Sequence, residues 1–167
     1  MLRKISTLAL GIGMALAMAA PAFAYDQAMA ESYAQLFAPV QGAKAGKQLH
    51  LMPPDVFVAK VRSGEPIIGL DVRTPNEAGM FTAAMPGSLA IPLHELFTTE
   101  NLGRLPSDRP IVVLCKSGTR ATAAGTALRH VGFDNVYILK GGFQALAAYY
   151  GPGEAYGVPA RAGKKEK

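Results

Sequence analysis

Apolar runs rich in β-branched residues recur along this chain, and amphipathic or capped segments separate them. The apolar runs predict buried strands at 67–72, 111–114 and 136–139, and two further short strands are predicted at 48–52 and 88–92. The intervening segments predict helices, which are residues 53–62, 119–131 and 143–150. Strands that alternate with helices indicate parallel βαβ units. The predicted class is therefore α/β, with a central, mainly parallel sheet and helices on both faces.

The pattern predicts one compact domain, residues 47–150, with a segment added at each end. Residues 25–46 are an N-terminal extension that contains a short helix and, at 42–46, a linker. Residues 151–167 are rich in Gly, Pro, Ala and Lys and predict an irregular C-terminal tail. Within the domain, a loop of small residues follows the strand at 67–72, and the helix at 119–131 is expected to bury Ala121, Ala124, Leu128 and Val131.

Residues 1–24 have the pattern of a secretory signal peptide. The cations Arg3 and Lys4 precede an uncharged apolar run at 5–20, and small residues in an Ala-x-Ala pattern end at Ala24. The alternative is a membrane anchor, but the apolar run is short and the cleavage pattern is clear. We therefore expect cleavage after Ala24, a periplasmic or secreted protein, and no membrane association after cleavage.

Composition excludes several functional classes. The 167 residues include 17 Lys+Arg and 12 Asp+Glu, a net charge of +5, but no dense basic stripe, so nucleic-acid binding is not expected. A mild positive charge suits a small anionic substrate. The single Cys excludes an intramolecular disulfide and a Cys-rich zinc site, and the three His are scattered, so no metal site is expected.

Cys115 is the strongest candidate for chemistry. An unpaired cysteine in an exported protein is either buried and inert or retained because it reacts. Cys115 follows the strand at 111–114, and the carboxyl edge of such a sheet is where ligands bind. The residues that connect it to the next helix are Lys116, Ser117, Gly118, Thr119 and Arg120. Two cations, two hydroxyls and a glycine favour a functional loop over an inert core position.

So short a loop must curl sharply between strand and helix. Gly118 supplies the positive φ that such a curl requires. Successive N–H groups then point at one centre, and the first turn of the helix adds its own N–H groups and dipole. The Cys115 sulfur is expected over that centre, where a thiolate or an anionic adduct on the sulfur would be stabilised.

These residues resemble the Cys-x-x-Gly-x-Arg active-site loop of the rhodanese-like sulfurtransferases. Three further segments are similar to the family's motifs in the same order, namely 70–75 with Glu77 (Asp-Val-Arg and a Glu), 85–92 (Pro-Gly and Ile-Pro) and 139–143 (Leu-x-Gly-Gly, with Phe143 for the usual Trp). The resemblance covers about residues 49–150. Besides Phe143, two positions differ from the family. Ala84 stands where a His is frequent, and Glu77 stands in the region where some thiosulfate-preferring members carry an extra Arg.

The resemblance implies a single-domain rhodanese fold and a persulfide on Cys115. The sulfur would come from a small anionic donor, thiosulfate or polysulfide, and pass to cyanide or a thiol, without a metal or organic cofactor. Asp71 would help to fix the loop through Arg120. A structural ion pair of Asp71 and Arg73 at the strand end is the alternative to direct chemistry by these two residues, and the two are compatible. The expected catalytic residues are Cys115, Arg120 and Asp71, and the expected substrate-binding residues are Lys116, Ser117, Gly118, Thr119 and Arg73.

Two other functions are weighed against sulfur transfer. Phosphatases related to this fold use Cys-x5-Arg, but Arg120 is the fifth residue after Cys115 and Ala121 holds the phosphatase position. The other alternative is a non-catalytic or partner-dependent sulfur-carrier or binding module in the periplasm. Residues 25–46 and 151–167 would then dock an exported protein partner, whereas packing and solvated ends are the simpler interpretation of both segments.

Overall fold

The computed structural model describes residues 24–80 and 85–151, and it places five strands and seven α-helices in them. The helices are α1 (Gln27–Phe37), α2 (Ala45–Gln48), α3 (Pro54–Arg62), α4 (Pro75–Met80), α5 (Thr99–Gly103), α6 (Thr119–His130) and α7 (Gly142–Tyr149). The strands are β1 (Leu51–Met52), β2 (Ile68–Asp71), β3 (Leu89–Ala90), β4 (Ile111–Leu114) and β5 (Val136–Leu139). Residues 1–23 of the predicted signal peptide, Ala84 and the tail beyond Gly151 lie outside the described residues.

The five strands form one parallel sheet in the order β1-β5-β4-β2-β3, which confirms the predicted α/β class. β4 is the central strand. Its register pairs Leu114 with Asp71 of β2 and Val113 with Ile138 of β5. All four β4 side chains are fully buried, because helices cover both faces of the sheet. This burial accounts for the unbroken apolar run at 111–114.

Alternate residues of β4 enter two separate cores. Ile111 and Val113 face the core that includes α6, whereas Val112 and Leu114 face the core formed with α3 and α7. Side chains alternate along a strand, so the next residue, Cys115, points to the α6 side. The strand pattern therefore decides which helix the cysteine faces.

α6 lies close to the sheet because its buried face carries small residues. A Cβ added at Gly125 would lie 2.5 Å from Cγ1 of Ile138, so only glycine fits without a shift of that side chain. The other buried residues of this face are Ala121, Ala124 and Leu128, as the sequence predicts. Val131 was expected on the same face, but it is 53% exposed because the chain turns at Gly132, which has φ 105°.

The extension that precedes the sheet differs from the prediction in part. The predicted helix is present as α1, and it packs on the end of α6, where the Tyr33 and His130 rings stack with centroids 3.9 Å apart. The predicted linker at 42–46 is a 3-10 turn, Gly42–Lys44, followed by α2. The strand predicted from residue 48 starts only at Leu51, because the N–H of Leu49 still donates to the Ala45 carbonyl at 2.9 Å and closes the last turn of α2.

The loop of small residues predicted after β2 contains a helix, α4. Its start is a capping box, in which the Thr74 N–H donates to Glu77 Oε2 at 3.0 Å and the Glu77 N–H donates to Thr74 Oγ1 at 3.4 Å. Pro75 occupies the first helical position, which suits its fixed φ. α5, which the apolar pattern also missed, begins at the cap residue Thr98, whose Oγ1 accepts from the Asn101 N–H at 3.3 Å. Both helices are determined by their caps rather than by an apolar face.

The strand predicted at 88–92 is shorter in the structure and consists of Leu89–Ala90 at the sheet edge. Beyond Ala90 the chain makes a single further sheet-like contact, from the Ile91 N–H to the Asp71 carbonyl at 3.0 Å, and then turns at Pro92. No helix within the described residues is long and apolar enough to cross a membrane.

Substitution of Gly142 by Ala is expected to destabilise the domain strongly. Gly142 has φ 57°, and an added Cβ would overlap the Cys115 carbonyl oxygen and lie 2.8 Å from the Gly118 nitrogen. Strain and backbone contact together should lower the free energy of unfolding by about 3 kcal/mol, measured by urea denaturation.

Gly103→Ala is the matched control, because a Cβ there meets nothing within 4 Å and its φ is not in the left-handed region. It should leave the free energy of unfolding unchanged or raise it by up to about 1 kcal/mol. Equal effects of the two substitutions would show that the close approach at Gly142 is not important for stability.

Candidate active site

The sulfur of Cys115 lies inside the loop that joins β4 to α6. Cys115 is 1% exposed, and its Sγ accepts hydrogen bonds from the N–H groups of Gly118 at 3.1 Å and Ala121 at 3.3 Å. Gly118 has φ 93°, the left-handed conformation that the curled loop was expected to need. The loop and the first turn of α6 thus direct backbone donors at one sulfur atom, an arrangement that suits a negative charge there.

Gly141 and Gly142, at the start of α7, pack directly against this loop. A Cβ on Gly118 would lie 3.0 Å from the Gly141 nitrogen, so the two backbones are in direct contact. The Phe143 N–H donates to the Cys115 carbonyl at 2.8 Å, and the Gln144 N–H donates to the Lys116 carbonyl at 3.0 Å. The first turn of α7 therefore satisfies the loop carbonyls and leaves loop N–H groups to face the sulfur. The Leu-x-Gly-Gly motif contains both glycines but does not by itself predict this contact.

Asp71 and Arg73 form a buried ion pair beside the loop. Both residues are 3% exposed, and Arg73 donates from Nε and Nη2 to the Asp71 carboxylate at 2.7–3.0 Å. The Arg73 guanidinium also lies 4.0 Å from the centroid of the Phe143 ring. Phe143 thus fills the position of the expected Trp with a packing role. The expectation that Asp71 fixes Arg120 is wrong, because Arg73 holds the Asp71 carboxylate.

Arg120 pairs with Glu77 instead. Its two terminal nitrogens donate to the two carboxylate oxygens of Glu77, each at 2.7 Å, across 43 positions of sequence. The hydrogen bonds from Arg120 and then from Thr74 hold the pKa of Glu77 far below its ordinary value. The Glu77 hydrogen bond raises the pKa of Arg120, and the nearby Cys115 sulfur adds to that rise. Arg120 therefore stays charged next to the cysteine.

A small cleft opens beside the cysteine loop. It has a volume of about 120 Å³, and the residues that line it are Arg73, Glu77, Met80 and Lys116.

Of the predicted substrate-binding residues, Lys116, Ser117 and Thr119 are exposed, whereas Gly118 and Arg73 are buried. Asp71 is not among the residues that line the cleft, but its carboxylate binds Arg73, which does line it. Glu77 was not predicted as a site residue, although the Thr-x-x-Glu cap signature would have placed it at a helix start.

Metal ions in proteins are commonly held by clusters of His, Cys, Asp and Glu side chains. Within ranges 24–80 and 85–151, no three His, Cys, Asp or Glu side chains lie close enough together to do so. The described site offers a thiol with two backbone donors on its sulfur and two ion pairs beside it.

The Glu77–Arg120 pair should stabilise the fold less as the pH falls. Because the pKa of Glu77 is lowered from 4.5 in the folded chain, its contribution is fully present above pH 4.5 and is lost as the pH falls towards the lower, folded value. The melting temperatures of the wild-type chain and of Glu77→Gln should therefore converge between about pH 6 and about pH 3. A gap that stays constant over this range would contradict the assignment.

Comparison with known proteins gives a family match. The rhodanese-like domain model matches residues 54–149, more than half of the chain. The probable adenylyltransferase/sulfurtransferase MoeZ of Mycobacterium tuberculosis is 34% identical over 54% of this chain, but the match spans only 22% of MoeZ. The thiosulfate sulfurtransferase GlpE of Pseudoalteromonas translucida is 32% identical over 52% of this chain and 78% of GlpE.

The solved structures agree with the sequence comparison. The rhodanese-like domain of the Alr3790 protein from Anabaena, determined by NMR, superimposes with a TM-score of 0.51 at 27% identity, over 71% of this chain and 89% of that domain. The parallel sheet, the cysteine loop at the carboxyl end of β4 and the family match lead to one conclusion. The chain belongs to the rhodanese-like domain family.

Proposed function

We propose that this chain is a sulfurtransferase that carries a sulfane sulfur on Cys115 as a persulfide. The donor is thiosulfate or polysulfide, and the acceptor is cyanide or a thiol. The observation that carries the proposal is the pair of N–H donors, from Gly118 and Ala121, directed at the Cys115 sulfur. Membership of the rhodanese-like family and the sulfurtransferase names of its relatives support it.

In the first step the Cys115 thiolate attacks the outer sulfur of the donor. With thiosulfate, a new S–S bond forms to Cys115 as the S–S bond of thiosulfate breaks, and sulfite leaves with the bonding electron pair. The terminal sulfur of the persulfide then carries the negative charge. Backbone N–H groups in a fixed loop stabilise this charge without reorganisation, which lowers the barrier.

In the second step the acceptor attacks the terminal sulfur. The lone pair of cyanide carbon forms a C–S bond, the persulfide S–S bond breaks, and the Cys115 thiolate is regenerated with release of thiocyanate. A thiolate acceptor reacts in the same way and leaves as a persulfide. Each step breaks one S–S bond and forms one S–S or C–S bond, and the leaving group takes the bonding electron pair. No external oxidant, reductant or organic cofactor therefore enters the cycle.

The surrounding charges have separate roles in this proposal. Lys116 is exposed at the cleft and attracts the anionic donor, while Arg120 keeps a positive charge next to the sulfur. Asp71 acts as a positioning residue: its carboxylate holds Arg73, whose guanidinium packs on Phe143 at the base of the loop. Ser117 and Thr119 add exposed hydroxyl groups at the loop's rim.

Intact mass under non-reducing conditions tests the proposal. After incubation of the mature chain with thiosulfate or with polysulfide, its mass should increase by one sulfur atom, and addition of cyanide should remove the gain. Cys115→Ser should show no gain because the nucleophile is absent, while its melting temperature stays close to that of the wild-type chain. A wild-type chain with a reduced thiol that gains no sulfur from either donor would favour the partner-dependent carrier or binding module.

We also propose that the chain is exported and that residues 1–24 are removed. Expression of the full sequence in a Gram-negative host should give a periplasmic product whose N-terminal residue is Tyr25. Ala22→Arg or Ala24→Arg, which remove the small residues of the cleavage pattern, should leave the precursor uncut. A wild-type product that keeps Met1 or stays in the cytoplasm would contradict the proposal.

A further inference from the structure

The charges that surround the cysteine cancel in pairs. The Asp71 carboxylate neutralises Arg73 in the buried pair, and the Glu77 carboxylate neutralises Arg120 with one oxygen on each terminal nitrogen. Of the residues that line the cleft, this leaves Lys116 as the one cation with no ion pair within the described part of the chain. The mouth of the site therefore presents about one net positive charge.

Glu77 is held firmly in its place at the cleft. Its Oε2 accepts from the N–H and the hydroxyl of Thr74, each at 3.0 Å, in addition to the bond from Arg120. These bonds belong to the capping box of α4, so a rotation of the carboxylate away from the cleft would leave the helix start uncapped. A donor that enters the cleft consequently meets a fixed negative charge among the residues that line it, in addition to the positive charge of Lys116.

We propose that Glu77 sets the donor preference of the site, by disfavouring doubly charged donors relative to singly charged ones. The proposal rests on the sulfur-transfer function proposed above. Glu77 lines the cleft whereas Arg120 does not, so the second negative charge of a dianion in the cleft lies nearer to the carboxylate of this ion pair than to its guanidinium and is repelled. A monoanion, such as a persulfide, a hydrodisulfide or a thiosulfonate, matches the single charge of Lys116.

Two donors with the same reacting group make this testable. Thiosulfate is a dianion, and methanethiosulfonate is the corresponding monoanion, with a methyl group in place of one charged oxygen. Each transfers its outer sulfur to the Cys115 thiolate, and the leaving group is sulfite in one case and methanesulfinate in the other. Because these leaving groups differ in reactivity, the quantity compared is the change in the ratio of kcat/KM values between variants, at one fixed low ionic strength.

Glu77→Gln is the decisive variant. Gln also serves in a capping box, so the start of α4 and the fold should survive while the negative charge is removed. The ratio of kcat/KM for thiosulfate over that for methanethiosulfonate should rise about fivefold, the effect expected for one unit charge about 4–5 Å away in a water-like dielectric. Glu77→Asp keeps the charge and shortens the side chain, so its ratio should stay close to the wild-type ratio.

Glu65→Gln is the matched control. Glu65 is also an ion-paired carboxylate, with Lys60 at 2.6 Å, but it precedes β2 at the amino end of the sheet, opposite to the end that holds Cys115. Its substitution changes the net charge of the chain by the same amount and should leave the donor ratio unchanged. A similar rise in this variant would mean that the overall charge, rather than Glu77, controls donor preference.

The outcomes separate the two proposals. If Glu77→Gln lowers kcat/KM for both donors by the same factor, Glu77 only holds Arg120 in place and charge selection is refuted. An unchanged ratio with normal turnover refutes it as well. If the wild-type chain forms no persulfide from either donor, the proposed function itself fails, whatever the variants do.

Discussion

The site depends on one constraint, which is that the backbone after β4 must turn sharply enough to direct its N–H groups at the Cys115 sulfur. Gly118 provides the left-handed residue of this turn, and its backbone lies against Gly141, where a side chain would not fit. The first turn of α7 stabilises this close approach, because its N–H groups donate hydrogen bonds to the carbonyls of the loop. β4, the loop that follows it, α6 and α7 thus pack together around the Cys115 sulfur.

The two ion pairs near this loop differ in burial and hence in role. The Asp71–Arg73 pair is nearly inaccessible to solvent, so loss of either partner would leave a buried charge uncompensated. The Arg120–Glu77 pair is about one-third exposed, so solvent screens it and its main effect is on the local potential at the cleft. The Asp71–Arg73 pair supports the base of the site, and the Arg120–Glu77 pair influences the charge at the opening of the cleft.

Glu77 connects local structure to the site. The same carboxylate caps α4 and binds Arg120, so the short helix and the loop of a distant strand share one anchor. This arrangement explains why a segment of small residues, with no buried side chain of its own, forms a helix at this point. It also means that the helix cap and the electrostatics of the cysteine loop cannot vary independently.

The sequence by itself determined the parallel α/β class, the positions of the main strands and helices, and the cysteine loop with Gly118 at its turn. These are local properties, since they follow from side-chain periodicity, β-branched runs and the backbone needs of a short loop. It did not determine the partner of Arg120 or the role of the Gly141–Gly142 pair. Glu77 is 43 positions from Arg120, and Asp71 was the expected partner, whereas the fold pairs the Asp71 carboxylate with Arg73. Only the tertiary structure decides such pairings, because they depend on which side chains the packed elements bring within hydrogen-bond distance.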